Sequence, residues 1–166
     1  MERHALRFVI GLGANLGDRL ATMREAIARI ERVAHVRARS RVYETAPVGK
    51  TDQPVFLNAA VAVDCTLSPL ALLDALLAIE KELGRTRSAD VVRWGPRTID
   101  LDVLWIEGVA LDDPRLTVPH PRLAERAFAL VPLLDVASGA IDPRTLAPYV
   151  APRDDGVTLT SLTLER

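Results

Sequence analysis

The chain has 166 residues, 49% hydrophobic and 26% charged, which excludes a disordered or fibrous protein. Its net charge of −1 gives no overall basic surface for nucleic acid, and no apolar run reaches the ~18 residues of a membrane span. The single cysteine, Cys65, cannot form an internal disulfide, and the first residues lack a signal-peptide pattern. We therefore expect one domain over residues 1–166, a cytoplasmic monomer with neither nucleic acid nor membrane as partner.

The first half of the chain predicts three strands and one helix. Apolar character predicts strands at 8–12, 36–45 and 56–65. Apolar residues at helical spacing predict a helix from Asp18 to Val33. Two prolines and a glycine indicate a loop over 46–55.

The second half predicts a helix, a strand, a hairpin and a last helix. Ser68 and Pro69 are typical of a helix start, and Gly84 is placed to cap that helix. A strand is expected over 99–106, turning at Glu107 and Gly108 into a short strand over 109–111. The last helix is expected from Arg122 to Val136, despite Pro132 inside it.

The order strand, helix, strand, strand, helix, strand predicts the fold class. It is the split β-α-β pattern of a ferredoxin-like α+β fold, an antiparallel sheet with both helices on one face. A C-terminal hairpin and helix follow this core. A doubly wound α/β fold is the rival, but a loop rather than a helix joins the second and third strands, which favours α+β.

The glycine-rich stretch from Gly11 to Gly17 favours a structural interpretation. Its spacing, G-x-G-x-x-x-G, is one residue away from the dinucleotide-binding fingerprint, and no P-loop sequence occurs in the chain. We interpret the three glycines as a tight turn between the first strand and the first helix.

A local excess of positive charge lies between Gly84 and Thr98. Four arginines stand there against a single acid, Asp90. On charge alone the stretch is either an anion-binding site or a solvated loop.

Two carboxylates mark the start of the strand at 99–106. Because strand side chains alternate, Asp100 and Asp102 point to the same side, about 6.6 Å apart. Ile99, Leu101, Val103 and Trp105 are expected to point to the core. Mg²⁺ relieves the repulsion between such a pair and binds phosphate oxygens at the same time. An ordinary exposed strand face is the alternative.

The decapeptide RWGPRTIDLD, from Arg93 to Asp102, is far more specific than either feature alone. It resembles the signature of the hydroxymethyl-dihydropterin pyrophosphokinases, which convert ATP and 6-hydroxymethyl-7,8-dihydropterin into AMP and the pterin diphosphate. The resemblance extends over nearly the whole chain, through residues 13–16, 43–49, 52–60, 84–87, 115–120 and 126–128.

The resemblance implies a role for each matching residue. It implies that Asp100 and Asp102 hold two Mg²⁺ ions and act in catalysis together with Arg85 and Arg97. The residues it implies for ATP are Arg85, Arg87, Trp94, Arg97, Arg115, Thr117, His120 and Arg126. The residues it implies for the pterin are Thr45, Ala46, Val48, Phe56, Asn58, Trp94 and Phe128.

Three departures from the family pattern and one rival function qualify these roles. Phe56 replaces a frequent tyrosine, and Pro121 follows His120 where an aromatic residue can occur. Leu77 stands where a polar nucleotide contact is sometimes found, which leaves Glu80 as the polar residue nearby. Cys65 and Trp105 are interpreted as packing residues. The rival is a ferredoxin-like regulatory module that binds an anion or nucleotide without turnover.

Overall fold

The structure, a computed structural model, describes residues 4–15, 17–45, 55–85, 99–152 and 156–165. The strands within these ranges are β1 (Leu6–Ala14), β2 (His35–Arg39), β3 (Tyr43–Thr45), β4 (Phe56–Cys65), β5 (Asp100–Ile106), β6 (Leu111–Asp113), β7 (Leu116–Val118) and β8 (Val157–Leu159). The helices are α1 (Arg19–Ile30), α2 (Pro69–Arg85) and α3 (Ala127–Val136), with a 3-10 turn at Leu123–Glu125. None of the helices in these ranges is long and apolar enough to cross a bilayer.

One six-stranded sheet organises the chain. Its order is β5-β1-β4-β3-β8, with β2 also paired to β4, and every pairing is antiparallel. Since β1 lies between the later strands β4 and β5, the two β-α-β units interlock. The predicted ferredoxin-like α+β fold is confirmed.

The strand expected over 36–45 is wrong as a single element, because it is divided into β2 and β3. Ser40 lies between them, and its backbone N–H donates to the Ala60 carbonyl at 2.8 Å. The Ala60 N–H donates in return to the Ser40 hydroxyl, also at 2.8 Å. A side chain thus replaces a backbone acceptor at this point, which interrupts the ladder along β4.

Helices α1 and α2 begin where the sequence predicts. The Asp18 carboxylate accepts a hydrogen bond from the Ala21 N–H at 3.1 Å, and the Ser68 hydroxyl accepts one from the Ala71 N–H at 3.2 Å. Both helices pack against the same face of the sheet and bury a continuous apolar core there. Gly84 is not a cap, because α2 continues through it to Arg85 and its φ is not left-handed.

A β-bulge in β5 changes the direction of Trp105. Val103 pairs with Ile10 and Trp105 pairs with Val9, so Leu104 is the extra residue. Ile99, Leu101 and Val103 therefore face α1 and α2 as predicted, whereas Leu104 and Trp105 lie on the opposite face. Trp105 is buried as expected, but the predicted side is wrong. Its indole N–H donates to the Ile141 carbonyl at 2.9 Å.

The opposite face is covered by α3, which packs on β4 and β1. The helix predicted from Arg122 begins only at Ala127, because Arg126 has φ −100° and ψ 85°, outside the helical region. Pro132 lies inside α3 and is buried, as the prediction allowed. Its ring nitrogen cannot donate a hydrogen bond to the preceding turn.

The chain after β5 turns at Gly108 as predicted, with φ 71°. The strand expected over 109–111 is wrong, because Val109 makes only an isolated bridge to Ile106. A separate hairpin follows, in which β6 pairs with β7. Val118, at the end of β7, is fully buried in the α1–α2 core and anchors this hairpin.

Candidate active site

A cleft of about 620 Å³ opens on the α3 face of the sheet. Residues of β1, β4 and β5 form its floor, and its walls come from the β6–β7 hairpin and from the start of α3. The fold brings together here seven of the residues that the resemblance implied: Asn58, Asp102, Arg115, Thr117, His120, Arg126 and Phe128.

The two carboxylates of β5 lie on the side predicted. Leu101, between them, is buried in the opposite core, while Asp102 is exposed in the cleft and Asp100 is half-buried beside it. The Leu101 N–H donates to the Glu80 carboxylate of α2 at 2.7 Å, so a third acid borders the strand. This contact gives Glu80 a role in holding β5 that its sequence position did not indicate.

The donor set suits a hard cation. Carboxylate oxygens are the ligands that Mg²⁺ prefers, and Mg²⁺ usually keeps open positions for water and phosphate oxygens. Within the described ranges, no three His, Cys, Asp or Glu side chains are arranged to hold a metal ion. Asp100 and Asp102 supply two carboxylates of the type that such an ion uses.

The interpretation of Gly11 and Gly13 as turn residues is wrong, because both lie inside β1. A Cβ on Gly11 would stand 2.9 Å from Leu104 Cδ1, and one on Gly13 would stand 3.4 Å from Asn58 Oδ1. Only Gly17 has the positive φ of a turn, at 61°. The two strand glycines leave space for Leu104 and Asn58 at the cleft floor, and their spacing of two residues was the available signal.

Asn58 forms the polar end of the floor, and Thr45 lies behind it without lining the cleft. The Asn58 amide donates to the Thr45 hydroxyl, and Asn58 is only 6% exposed. Phe128 at the start of α3 is 44% exposed, so its ring is available at the wall of the cleft. Phe56 pairs with Thr45 and is half-buried, but it does not line the cleft.

The β6–β7 hairpin supplies Arg115 and Thr117 to the wall. The Arg115 guanidinium pairs with the Asp74 carboxylate of α2, and this hydrogen bond raises the pKa of Arg115 above its usual value. Asp74 had no place in the sequence prediction, because only the tertiary fold brings α2 beside the hairpin.

His120 lies in a positively charged part of the cleft. Burial first, and then the nearby charges of Arg126 and Arg122, lower its pKa, while Asp102 acts in the opposite direction. Its Nδ1 accepts a hydrogen bond from the Arg122 N–H at 3.0 Å. His120 is therefore neutral near pH 7, with its proton on Nε2 as a donor.

Several predicted site residues lie outside the described residues: Ala46, Val48, Arg87, Trp94 and Arg97. Arg85 ends α2, and only its backbone is described. Their roles stay predictions.

Cys65 is buried, and its thiol contacts the Val33 carbonyl at 3.4 Å, which confirms a packing role.

Comparisons with known proteins agree on one family. The family model described as 7,8-dihydro-6-hydroxymethylpterin-pyrophosphokinase (HPPK) matches residues 9–138. A Methylorubrum extorquens protein named 2-amino-4-hydroxy-6-hydroxymethyldihydropteridine pyrophosphokinase is 49% identical over 133 residues, which cover 79% of this chain and 82% of that protein. The mitochondrial folate synthesis bifunctional protein of Pisum sativum is 46% identical over 142 residues.

Two of the similar proteins are much longer than this chain. The match covers 85% of this chain but 27% of the pea protein. A crystal structure of Plasmodium falciparum HPPK-DHPS A437G with SDX-DHP has a TM-score of 0.69 and 16% identity, over 89% of this chain and 45% of that one. At that identity the structural likeness supports the fold alone.

Proposed function

This chain belongs to the 7,8-dihydro-6-hydroxymethylpterin-pyrophosphokinase family, and we propose that it transfers diphosphate from ATP to the hydroxymethyl group of 6-hydroxymethyl-7,8-dihydropterin. The products are AMP and the pterin diphosphate, in folate biosynthesis. One observation carries the proposal. A single cleft joins an exposed carboxylate, Asp102, to an amide that suits a pterin, Asn58, and to a wall of cationic side chains.

The metal side of the reaction would lie at Asp100 and Asp102. These two carboxylates would hold Mg²⁺, two ions in our proposal, which when bound would neutralise charge on the ATP phosphates. The backbone between them is fixed by the Glu80 hydrogen bond, so β5 presents both oxygens from a rigid strand.

The pterin would lie at the opposite end of the floor. Asn58 can donate and accept at once, which matches the hydrogen-bonding edge of a pterin, and Thr45 already orients its amide. Phe128 would stack on the flat ring. Ala46, Val48 and Trp94 complete the pterin site that we propose, and Phe56, which does not line the cleft, would border it next to Thr45.

The nucleotide would lie along the hairpin wall. Arg115, Thr117 and Arg126 would contact phosphates, and His120, whose Nδ1 accepts from the Arg122 N–H, would donate from Nε2. Arg115 would exchange or share its Asp74 partner when a phosphate arrives. Arg85, Arg87, Trp94 and Arg97 are the further ATP contacts that we propose.

The reaction needs placement more than a covalent protein group. In-line transfer requires the pterin hydroxyl to face the β-phosphorus while positive groups offset the spreading charge. The cleft offers cations and hydrogen-bond donors, and the cysteine of the chain, Cys65, is buried on the other face. We accordingly propose direct transfer from ATP to the pterin.

The cellular setting is also a proposal. A buried free thiol suits a reducing compartment, which favours the cytoplasm, although the similar pea protein is mitochondrial. We further propose a single-domain monomer over residues 1–166 with small-molecule partners. A regulatory module without turnover is not favoured, because the family is one of pyrophosphokinases.

The test is release of AMP from ATP, Mg²⁺ and the pterin. We expect turnover by the wild type and a loss of about a thousandfold in Asp102→Asn, because neutralising the carboxylate weakens metal binding. Glu107→Gln, an exposed acid just beyond β5, is the matched control and should keep wild-type turnover. No AMP from the wild type, or near-normal turnover in Asp102→Asn, would overturn the proposal.

A further inference from the structure

Residues 141–148 form a closed loop beyond the segment that the family model matches, 9–138. The Asp142 N–H donates to the Ala147 carbonyl at 2.9 Å, and the Leu146 N–H donates back to the Asp142 carbonyl at 2.8 Å. The indole of Trp105 holds the start of the loop through the Ile141 carbonyl. The loop is therefore closed by its own hydrogen bonds and attached to β5, the strand that carries Asp102.

Arg144 extends from this loop to both strands of the β6–β7 hairpin. Its Nη2 lies 2.8 Å from the Asp112 carboxylate, 3.2 Å from the Leu111 carbonyl and 3.1 Å from the Val118 carbonyl, and its two N–H bonds are shared among these three acceptors. Leu111 and Val118 are cross-strand partners at the open end of the hairpin. One guanidinium thus joins β6 and β7 at the same level.

These contacts differ from an ordinary surface ion pair. Exposed pairs contribute little to stability, because water screens them and both side chains lose freedom. Here the Arg144 side chain is only 29% exposed, and two of its acceptors are backbone carbonyls on different strands. Val118 attaches the hairpin to the core, but a two-stranded hairpin is weakly stable by itself, so its direction depends on further contacts.

We propose that Arg144 is a positioning residue that sets the direction of the hairpin toward the cleft. The hairpin carries Arg115 and Thr117, and it leads directly to His120. Trp105 of β5 binds the loop, and Arg144 of the loop binds the hairpin. These contacts fix the position of the hairpin residues relative to β5. The inference rests on the proposed function only for the identity of the ligand, which is a nucleoside triphosphate.

The experiment compares Arg144→Met with Arg144→Lys in the full chain. Met keeps much of the stem without a donor, and Lys returns a positive donor without the planar fork. Affinity for a non-hydrolysable ATP analogue with Mg²⁺, measured by calorimetry, should fall about three- to tenfold in Arg144→Met and recover partly in Arg144→Lys. Pterin affinity should stay unchanged, because Asn58 and Phe128 do not depend on the hairpin.

Two further measurements separate positioning from general stability. Amide exchange at Thr117 and Val118 should rise in Arg144→Met even without ligand, while exchange in α1 stays at the wild-type rate. Arg37→Ala, which breaks a pair with Asp64 outside the cleft, is the matched control and should leave nucleotide affinity intact. Wild-type nucleotide affinity and hairpin exchange in Arg144→Met would overturn the inference.

Failure of the proposed function gives a different result. If the wild type binds no ATP analogue, the function fails, and the amide-exchange comparison still decides whether Arg144 orients the hairpin. If the wild type binds the analogue and Arg144→Met matches it in both affinity and hairpin exchange, the nucleotide site stands and the positioning role is wrong.

Discussion

The face of the sheet that α1 and α2 cover is a continuous apolar core, whereas α3 closes only half of the opposite face. Along β4, Val61 and Val63 fill the first face, while Ala60 and Ala62 face α3. Branched side chains fill the wide space below two helices, and small ones let α3 approach the sheet closely. The half of the second face that α3 leaves open is the cleft.

The two faces also differ in what holds the helices. Helices α1 and α2 are attached mainly by apolar packing, with Glu80 of α2 bonded to the β5 backbone, whereas α3 is held in addition by a polar cluster at Asp135. The Tyr43 hydroxyl donates to its carboxylate at 2.6 Å, and the Arg41 guanidinium donates to it at 2.8 and 3.2 Å. The same strands therefore carry a closed apolar core on one face and the open cleft on the other, and the alternation of side chains decides which residue faces which side.

The largest expected effect separates the faces by stability. Leu76 on α2 is fully buried, so Leu76→Ala should lower the free energy of unfolding by about 3 kcal/mol through lost burial and a cavity. The adjacent Leu77 is 46% exposed, and Leu77→Ala should change the free energy of unfolding by less than about 0.5 kcal/mol. Urea denaturation measures both. Equal losses would show that burial of Leu76 in the α1–α2 core does not set its contribution to stability.

A smaller effect should appear on the open face as a change in binding. Phe128→Ala should weaken pterin affinity about tenfold, because the stacking ring is lost, and should leave the affinity for nucleotide alone unchanged. Its 44% exposure means that the thermal midpoint should move little. Phe128→Leu keeps apolar bulk and should recover only part of the affinity. Calorimetry that finds normal pterin affinity in Phe128→Ala would remove this residue from the site.

The smallest expected effect is a pH dependence confined to the α3 attachment. Burial acts to raise the pKa of Asp135, but hydrogen bonds from Arg41 and Tyr43 outweigh it, so the pKa lies below its usual value. A lowered carboxyl pKa adds stability above the unfolded value, near 3.8, and this stability is lost as pH falls through the folded value.

Asp135→Asn should therefore lower the free energy of unfolding by about 1 kcal/mol at pH 7. It should also weaken the loss of stability below about pH 4. Urea midpoints between pH 2.5 and 7 measure this. Tyr43→Phe leaves the Asp135 carboxylate in place and removes one of its donors, so most of the loss of stability at low pH should remain. An unchanged acid decline in Asp135→Asn would show that packing alone holds α3.

Much of the fold was predictable because its signals are local. The bounds of β4 and the starts of α1 and α2 match the structure, since an apolar run and a helix cap both depend on residues close together in the chain. The shared side of Asp100 and Asp102 follows from the same alternation. The sequence by itself therefore determined the fold class and which side of β5 carries the carboxylates.

The tertiary structure decided what depends on distant partners. Ser40 divides a predicted strand because Ala60 lies opposite it, and the bulge at Leu104 turns Trp105 only because β1 sets the register of β5. Gly11 contributes to the cleft because Leu104 occupies the space that a side chain would fill. Such effects arise from packing between segments far apart in the chain. The periodicity of apolar residues within one segment does not predict them.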